Sequence, residues 1–275
     1  MSCPDGVGKV GCKKSFSKEV NVVKELIGLI PSAGQGTRLG LPFPKELWPL
    51  PAQDGYVPVA FRSVEILLAA GVRKIVIVTS PEKPGVMRYF GDGSRFGAEF
   101  IYMCQEASPR SGKSAGLAEA LDCAYPVTAG RHVAFVMPDT FVHPAEAMRL
   151  MISQANGPDI LLGLFPTDKP HKFGMVRTTG PTVCEIIDKP SQTDLRLMWG
   201  IIVWSPRFSD YFRACMREDA PDFATVMNRA IFHGLDARAI EIQGGHYIDF
   251  GTYDDLLQAE AFIRSLDGKG GKSHE

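Results

Sequence analysis

A glycine-rich loop followed by two positive charges has the clearest chemistry in this sequence. Gly34 and Gly36 lack a Cβ atom, so the backbone there can turn its N–H groups toward an anion. Arg38 and Lys45 add full positive charges, and phosphate is the ligand that this combination favours. The apolar run 25–30 leads directly into the loop, as expected for a buried strand that ends at a ligand-binding turn.

The common nucleotide-binding motifs do not describe this chain. A dinucleotide fingerprint would need a third glycine at the position of Leu39. The run Gly112-Lys113-Ser114 ends like a phosphate-binding P-loop, but Ala107 stands where that motif needs its first glycine. We therefore interpret residues 106–115 as a polar loop rather than as a P-loop.

A single carboxylate follows a second apolar run. Residues 132–137 have the composition of a buried strand, and Asp139 comes directly after it. In open α/β sheets, ligands bind at the carboxyl ends of the strands. Asp139 is therefore expected at a ligand-binding edge.

The order of the predicted elements indicates a parallel α/β sheet. Residues 57–70 have apolar side chains at helical spacing and stop at Gly71, and the β-branched run 74–79 follows at once as a strand. Further predicted strands are 99–103, 159–165, the hairpin arms 173–176 and 183–188, and 199–204; further predicted helices are 208–217, 222–232 and 253–263.

Length and composition predict one cytoplasmic domain. The 275 residues are 45% hydrophobic, enough for a full core. We expect a flexible N-terminal extension over 1–20, the main domain over 21–266 and a disordered tail over 267–275. A net charge of −1 without a basic cluster argues against nucleic acid. No apolar stretch predicts a membrane span or signal peptide, and the six scattered cysteines predict free thiols.

Five motifs resemble those of the sugar-1-phosphate nucleotidyltransferases, such as the glucose-1-phosphate thymidylyltransferases and uridylyltransferases, in the same order. They are Gly-x-Gly-Thr-Arg with Pro-Lys-x-Leu-x-Pro in 34–49, Gly-Asp-Gly-Ser at 91–94, Gly-Leu-Ala at 116–118, Phe-Gly-x-Val with Asp-Lys-Pro in 173–190, and Asp-x-Gly-Thr at 249–252. The resemblance spans residues 25–263. It implies an α/β, Rossmann-like three-layer nucleotidyltransferase fold, with a mixed, mainly parallel central sheet and a small sugar-binding β lobe at about 165–205.

The resemblance also implies the reaction and its residues. A sugar-1-phosphate oxygen attacks the α-phosphorus of a nucleoside triphosphate and releases pyrophosphate, with Mg²⁺ held by Asp139 and Asp249. Arg38 and the loop N–H groups should hold the β- and γ-phosphates, Lys45 the charge at the α-phosphate, and Lys189 the sugar phosphate. The expected nucleotide-binding residues are Ala33, Gly34, Gln35, Gly36, Thr37, Gln105 and Gly116.

The sugar side of the site departs from the family pattern. Its expected residues are Gly174, Asp188, Lys189, Trp199 and Gly200. Asp188 stands where the family has glutamate, and Trp199 stands where a small hydroxyl residue is often found. Trp199 either lines the sugar pocket, which would favour a smaller or unusually shaped sugar, or belongs to the core.

The expected partners are UTP or dTTP and a sugar-1-phosphate. The sequence leaves open whether the chain forms a homo-oligomer. Two other functions remain open as well. A metal-dependent glycosyltransferase would need a second acid close after Asp139, where Phe141 stands. A non-catalytic nucleotide-sugar sensor would be expected to lack Lys45 or one of the two aspartates.

Overall fold

The computed structural model describes residues 25–34, 36, 39–52, 55–106 and 116–270, with side chains as far as Leu266. Its strands are β1 (Leu26–Pro31), β2 (Pro49–Ala52), β3 (Gly55–Pro58), β4 (Lys74–Thr79), β5 (Glu99–Cys104), β6 (His132–Val136), β7 (Thr140–His143), β8 (Ile160–Pro166), β9 (Gly174–Thr179), β10 (Thr182–Asp188), β11 (Leu197–Trp204), β12 (Ala237–Glu241) and β13 (His246–Asp249). Its α-helices are α1 (Val59–Ala69), α2 (Pro84–Phe90), α3 (Leu117–Cys123), α4 (Tyr125–Thr128), α5 (Ala147–Gln154), α6 (Pro206–Glu218), α7 (Phe223–Phe232) and α8 (Tyr253–Gly270).

A nine-stranded mixed sheet forms the centre of the molecule, in the order β5-β4-β1-β6-β11-β8-β12-β10-β9. Strands β5, β4, β1 and β6 are parallel to one another. Strand β11 is antiparallel to both β6 and β8, and β10 is antiparallel to both β12 and β9. The other seven strands therefore share one direction, which confirms a mixed, mainly parallel sheet.

Alternate side chains of the strands point to opposite faces of the sheet, and helices cover both. In β6, Val133 and Phe135 belong to one core cluster, whereas Ala134 and Val136 belong to the other. The first cluster includes side chains of α3, α6 and α7, and the second includes side chains of α1, α2 and α5. This is the three-layer arrangement expected for a sheet whose strands are apolar on both faces.

The second half of the sheet curls into a small lobe. Strand β9 pairs with its sheet neighbour β10 and also with β11, where Met175 lies opposite Met198. Strands β11, β8, β12, β10 and β9 therefore form a closed ring. The predicted β lobe at 165–205 corresponds to the hairpin β9–β10 and the start of β11.

A separate two-stranded ribbon joins distant parts of the chain. Strand β7 follows β6 directly and pairs antiparallel with β13, close to the C-terminus, and Thr140 lies opposite Asp249. The ribbon packs against α8 in a third core cluster that also contains Leu39 and Leu50. Helix α8 continues to Gly270, past the domain boundary expected at 266.

The N-terminal extension 1–20 and residues 271–275 lie outside the described residues, as does 107–115 within the polar loop. Within the described ranges, every helix is too short or too polar to cross a lipid bilayer.

Candidate active site

A cavity of about 620 Å³ opens where β6 and β10 end and β11 begins. It contains seven of the residues that the sequence predicts for the site: Gly116, Asp139, Gly174, Asp188, Lys189, Trp199 and Asp249. They come from segments far apart in the chain, so the fold brings together the predicted nucleotide, sugar and metal residues. The size suits a ligand the size of a nucleotide with part of a sugar.

The β7–β13 ribbon brings the backbones of the two aspartates close together. Asp249 is opposite Thr140, the residue after Asp139, and the backbone N–H of Phe250 donates to the Asp139 carbonyl at 3.0 Å. Asp139 is buried, and its Oδ1 atom has no hydrogen-bond partner among the described residues. A buried carboxylate oxygen of this kind is normally satisfied by a ligand, a cation or water. The pair can therefore hold a cation.

Lys45 reaches the same aspartate from the glycine loop. It starts the short 3-10 helix Lys45–Leu47, and its Nζ donates to Asp139 Oδ2. Burial alone would lower the pKa of Lys45, but the contact with Asp139 and the negative charges of Glu46 and Asp249 together outweigh burial, so the pKa is raised above its ordinary value of 10.5. Lys45 therefore stays protonated and brings a positive charge to this side of the cavity.

Gly36 makes room for the stem of this lysine. Its φ of +63° is a conformation that favours glycine, and a Cβ there would lie 3.3 Å from Lys45 Cγ. Ala33 is buried in the core, and a Cβ on Gly34 would meet no described atom within 4 Å. Three further predicted loop residues, Gln35, Thr37 and Arg38, lie outside the described residues.

The two predicted base-side residues take different positions. Gly116 lines the cavity at the start of α3, where its N–H donates to Glu119 Oε2 at 2.9 Å. Gln105 is buried at the end of β5 and does not line the cavity, and its Nε2 has no hydrogen-bond partner in the described ranges. The contact of Gln105 with a base therefore stays a prediction.

Trp199 lines the cavity and also packs in the core. Its ring centroid lies 6.2 Å from Phe135 and 6.0 Å from Phe223, and an ideal Cβ on Gly174 would lie 2.2 Å from Trp199 Nε1. Trp199 therefore lies between the cavity and the core, and its contact with a sugar stays a prediction. The absence of a side chain at Gly174 is what allows the indole to lie against the β9 backbone.

Packing in the core, rather than contact with the cavity, explains why residue 200 is a glycine. A Cβ there would lie 2.5 Å from the ring of Tyr247 and 2.7 Å from that of Phe165, and Gly200 does not line the cavity. The register of β11 against β8 shifts between Trp199 and Ile201. This β-bulge turns Trp199 toward the cavity while Gly200 stays in the core.

Asp188 and Lys189 stand at the open rim of the cavity. Their side chains are 47% and 63% exposed, and Lys189 Nζ lies 3.3 Å from Asp188 Oδ2. Lys189 has a φ of +46°, and its N–H donates to the Phe173 carbonyl at 2.9 Å. A lysine held in this uncommon conformation is a typical feature of a binding site.

Lys172, which sequence reasoning missed, is a further cation in the cavity wall. Its Nζ lies 2.9 and 3.2 Å from the two carboxylate oxygens of Asp255, and Lys169 Nζ lies 3.6 Å from the same group. Thr252 donates to Asp255 at 2.7 Å at the start of α8. An acid in the first turn of a helix usually favours the helix N-terminus, and here Asp255 also binds the two lysines. The pattern of Thr252 three residues before Asp255 was the available signal for its capping role.

We expect Asp255→Asn to destabilise the protein in a pH-dependent way. Burial would raise the pKa of Asp255, but hydrogen bonds from Thr252 and Lys172 and the nearby lysine charges outweigh it, so the pKa lies below its ordinary value of 3.8. The carboxylate therefore stabilises the fold fully above pH 3.8, and this contribution is lost as pH falls through the lowered value. At pH 7 the variant should unfold roughly 3–6 °C lower. In thermal melts of both proteins from pH 7 downward, the difference should narrow as the pH falls below 3.8; a constant difference would contradict this.

We expect Gly174→Ala to disturb selectively the part of the cavity that the motifs assign to the sugar. The added methyl group would overlap Trp199 Nε1. Overpacking of this kind costs about 1–3 kcal/mol, or roughly 10–100-fold in kcat/KM for the sugar substrate. The KM of the nucleotide should stay near the wild-type value. The matched double variant Gly174→Ala with Trp199→Phe removes the overlapping atom and should recover much of the loss. An equal rise in the KM values of the nucleotide and of the sugar substrate would contradict a selective effect on the sugar.

Comparison with known proteins agrees with this geometry. A family model described as Nucleotidyl transferase matches residues 27–265. A glucose-1-phosphate thymidylyltransferase from Mycolicibacterium smegmatis (strain ATCC 700084 / mc(2)155) is 24% identical over 254 residues, or 89% of this chain and 84% of that one. One from Xanthomonas campestris pv. campestris (strain B100) is 24% identical over 254 residues, or 89% and 82%.

Solved structures confirm the fold. A protein from Bacillus anthracis described as a glucose-1-phosphate thymidylyltransferase superposes with a TM-score of 0.74 at 23% identity, covering 87% of this chain and 95% of that chain. UDP-glucose pyrophosphorylase from Acinetobacter baumannii superposes with a TM-score of 0.70 at 18% identity, covering 89% and 99%. Because the family model covers nearly all of the described chain, the protein belongs to the nucleotidyl transferase family.

Proposed function

We propose that this enzyme joins a sugar-1-phosphate to UTP or dTTP, giving a nucleoside diphosphate sugar and pyrophosphate in a Mg²⁺-dependent reaction. The observation that carries the proposal is that Asp139, which holds Lys45, and Asp249, which lies opposite Thr140 in the β7–β13 ribbon, line the same cavity. Two carboxylates and a lysine at one point are what a triphosphate and its cation require.

The two aspartates fit Mg²⁺ chemically. Mg²⁺ prefers oxygen ligands, is typically held by one or two carboxylates, and completes its shell with water and substrate phosphate oxygens. The described residues hold no cluster of three or more acidic, cysteine or histidine side chains that would suit a metal bound by protein alone. Mg²⁺ held by Asp139 and Asp249 would supply positive charge to the phosphate oxygens.

The side chains of the cavity can bind and orient two anions. Lys45, protonated beside Asp139, is in position to offset negative charge on the α-phosphate. Lys189, which lines the cavity, would bind the sugar phosphate. A phosphate nucleophile is already ionised near neutral pH, so the reaction needs no general base, and catalysis rests on alignment and charge.

The sugar is expected to lie between Trp199 and Lys189. The backbone of Gly174 and the carboxylate of Asp188 line this part of the cavity and offer hydrogen-bonding groups for hydroxyls. The indole of Trp199 offers an apolar face on which a sugar ring can pack. Asp188 is one methylene shorter than glutamate, and Trp199 occupies volume, so we expect a compact sugar to be preferred.

A substrate panel tests the proposal directly. The protein is incubated with Mg²⁺, each of the common nucleoside triphosphates and a set of hexose and pentose 1-phosphates, and pyrophosphate release is followed. We expect release with at least one pair, fastest with UTP or dTTP, and loss of release when EDTA is added. Absence of release with every pair would refute the reaction.

The same assay separates the other functions. A glycosyltransferase would consume a nucleoside diphosphate sugar and release nucleoside diphosphate, without pyrophosphate. Phe141 is buried against α8, so the second acid that such an enzyme needs after Asp139 is not at that position. A sensor would bind the nucleotide sugar without turnover. The cytoplasmic location stays a prediction, and the oligomeric state stays open.

A further inference from the structure

A buried ion pair lies next to the glycine loop and outside the cavity. Lys83, just before α2, and Glu46, in the 3-10 helix Lys45–Leu47, are 5% and 1% exposed, and Lys83 Nζ lies 2.6 Å from Glu46 Oε1. Lys83 Nζ also donates to the backbone carbonyl of Ser32 at 3.1 Å. Lysine and glutamate are almost never this buried unless they are paired.

Glu46 follows Lys45 directly in the chain, so it is a second acid near this lysine, besides Asp139. Lys45 binds Asp139, whereas Glu46 is bound by Lys83. The negative charge of Glu46 already acts on Lys45, and Glu46 Oε2 has no hydrogen-bond partner among the residues described. Burial raises the pKa of Glu46, and Lys83 opposes that rise. Without Lys83, the Glu46 carboxylate therefore keeps its charge only by pairing with another cation, and Lys45 is its neighbour in the chain.

The contacts of Lys83 also tie the two ends of the loop together. Ser32 follows β1 and donates its own N–H to the Val78 carbonyl at 2.6 Å, so it is fixed to the sheet. The chain returns at Glu46, and Lys83 binds both points. Close packing supports this contact, since a Cβ on Gly85 in α2 would lie 2.9 Å from Leu47 Cδ1.

We propose that Lys83 is a positioning residue: by holding Glu46, it prevents this acid from competing with Asp139 and the phosphates for Lys45. The inference rests on the proposed function, because it concerns the direction in which Lys45 points. It predicts that Lys83 can be lost as long as the negative charge of Glu46 is lost with it.

The test compares Lys83→Met, Glu46→Gln and the double variant, with kcat and nucleotide affinity measured separately. Lys83→Met should lower kcat by about 100-fold, the size expected when a reacting group is misplaced, and should weaken nucleotide binding in equilibrium dialysis. Glu46→Gln alone leaves the Lys83 ammonium buried without its acid and should lower the thermal midpoint, but its kcat and nucleotide affinity should stay close to wild type. The double variant should recover most of the activity and binding lost in Lys83→Met. Lys74→Met, which removes an exposed lysine paired with Glu99, is the matched control and should behave like wild type.

Two results would overturn the inference. One is a double variant as impaired as Lys83→Met, because the ion pair itself would then be the requirement. The other is wild-type kcat and nucleotide binding in Lys83→Met. If Lys83→Met does not fold, the double variant still gives the answer, because it buries no charge at this position. It shows whether the enzyme needs the ion pair itself or only needs the charge of Glu46 to be held away from Lys45.

The proposed function can fail independently. Wild-type protein that binds nucleotide without releasing pyrophosphate would refute the reaction, while the binding series would still test Lys83. Wild-type protein that binds no nucleotide would refute both.

Discussion

Asp139→Asn should reduce pyrophosphate release by about a thousandfold or more. The change removes one of two carboxylates from the cation site and also the acceptor that holds Lys45. Asparagine has nearly the same shape, so the buried position should still be filled. Steady-state rates with the best substrate pair, measured over a range of Mg²⁺ concentrations, give the result.

A fold readout and a matched variant keep this result interpretable. The thermal midpoint of Asp139→Asn should stay close to that of wild type. Asp254→Asn removes an exposed acid in the first turn of α8, away from the cavity, and should retain wild-type rates. Wild-type turnover in Asp139→Asn would remove this residue from the reaction centre.

Asp249→Asn should abolish turnover for a different reason. It removes the other carboxylate of the pair but leaves the contact between Lys45 and Asp139 intact. We expect Mn²⁺ binding, followed by electron paramagnetic resonance, to weaken by at least about tenfold in both variants. Loss of the Lys45 contact should make Asp139→Asn the poorer binder of the triphosphate.

Nucleotide binding without metal separates the two roles. In EDTA, Asp249→Asn should bind UTP or dTTP as well as wild type does, because Lys45 keeps its position. Under the same conditions, Asp139→Asn should bind the nucleotide more weakly than wild type does, because Lys45 has lost its contact with Asp139. Identical nucleotide binding by the two variants, with and without metal, would mean that Asp139 does not hold Lys45 in position. Near-normal turnover of Asp249→Asn would remove it from the cation site.

The strands and helices with strong patterns were predictable from sequence. The β-branched run at 74–79 is β4 with the same limits, and the hairpin arms near 174 and 188 are β9 and β10. These segments carry their own signal, since apolar runs and turn residues mark both ends. Short elements were missed. Strands β7 and β13 have four residues each, and what stabilises them is their pairing with each other.

The sequence motifs predicted which residues lie at the cavity. Positions that depend on packing were predicted less well. Asp139, Asp249, Gly174 and Lys189 line one cavity, as the motif order implied. Gly200 lies in the core and not in the cavity wall, next to the register shift of β11 between Trp199 and Ile201, a detail that a sequence does not specify.

Lys83 and Lys172 were missed for a related reason. Each lies in a segment with no recognisable motif, and each is defined by an acid remote in sequence, Glu46 for one and Asp255 for the other. Pairing across such distances follows from the tertiary fold and not from local spacing.

The β7–β13 ribbon has a consequence for the order in which the enzyme is completed during synthesis. The ribosome delivers the glycine loop, the parallel strands and Asp139 long before it delivers Asp249, which lies near the end of the described chain. A nascent chain can therefore assemble the first four strands of the sheet while it has only half of its cation site. We expect the growing polypeptide to gain its affinity for divalent metal in a single late step, when β13 docks on β7.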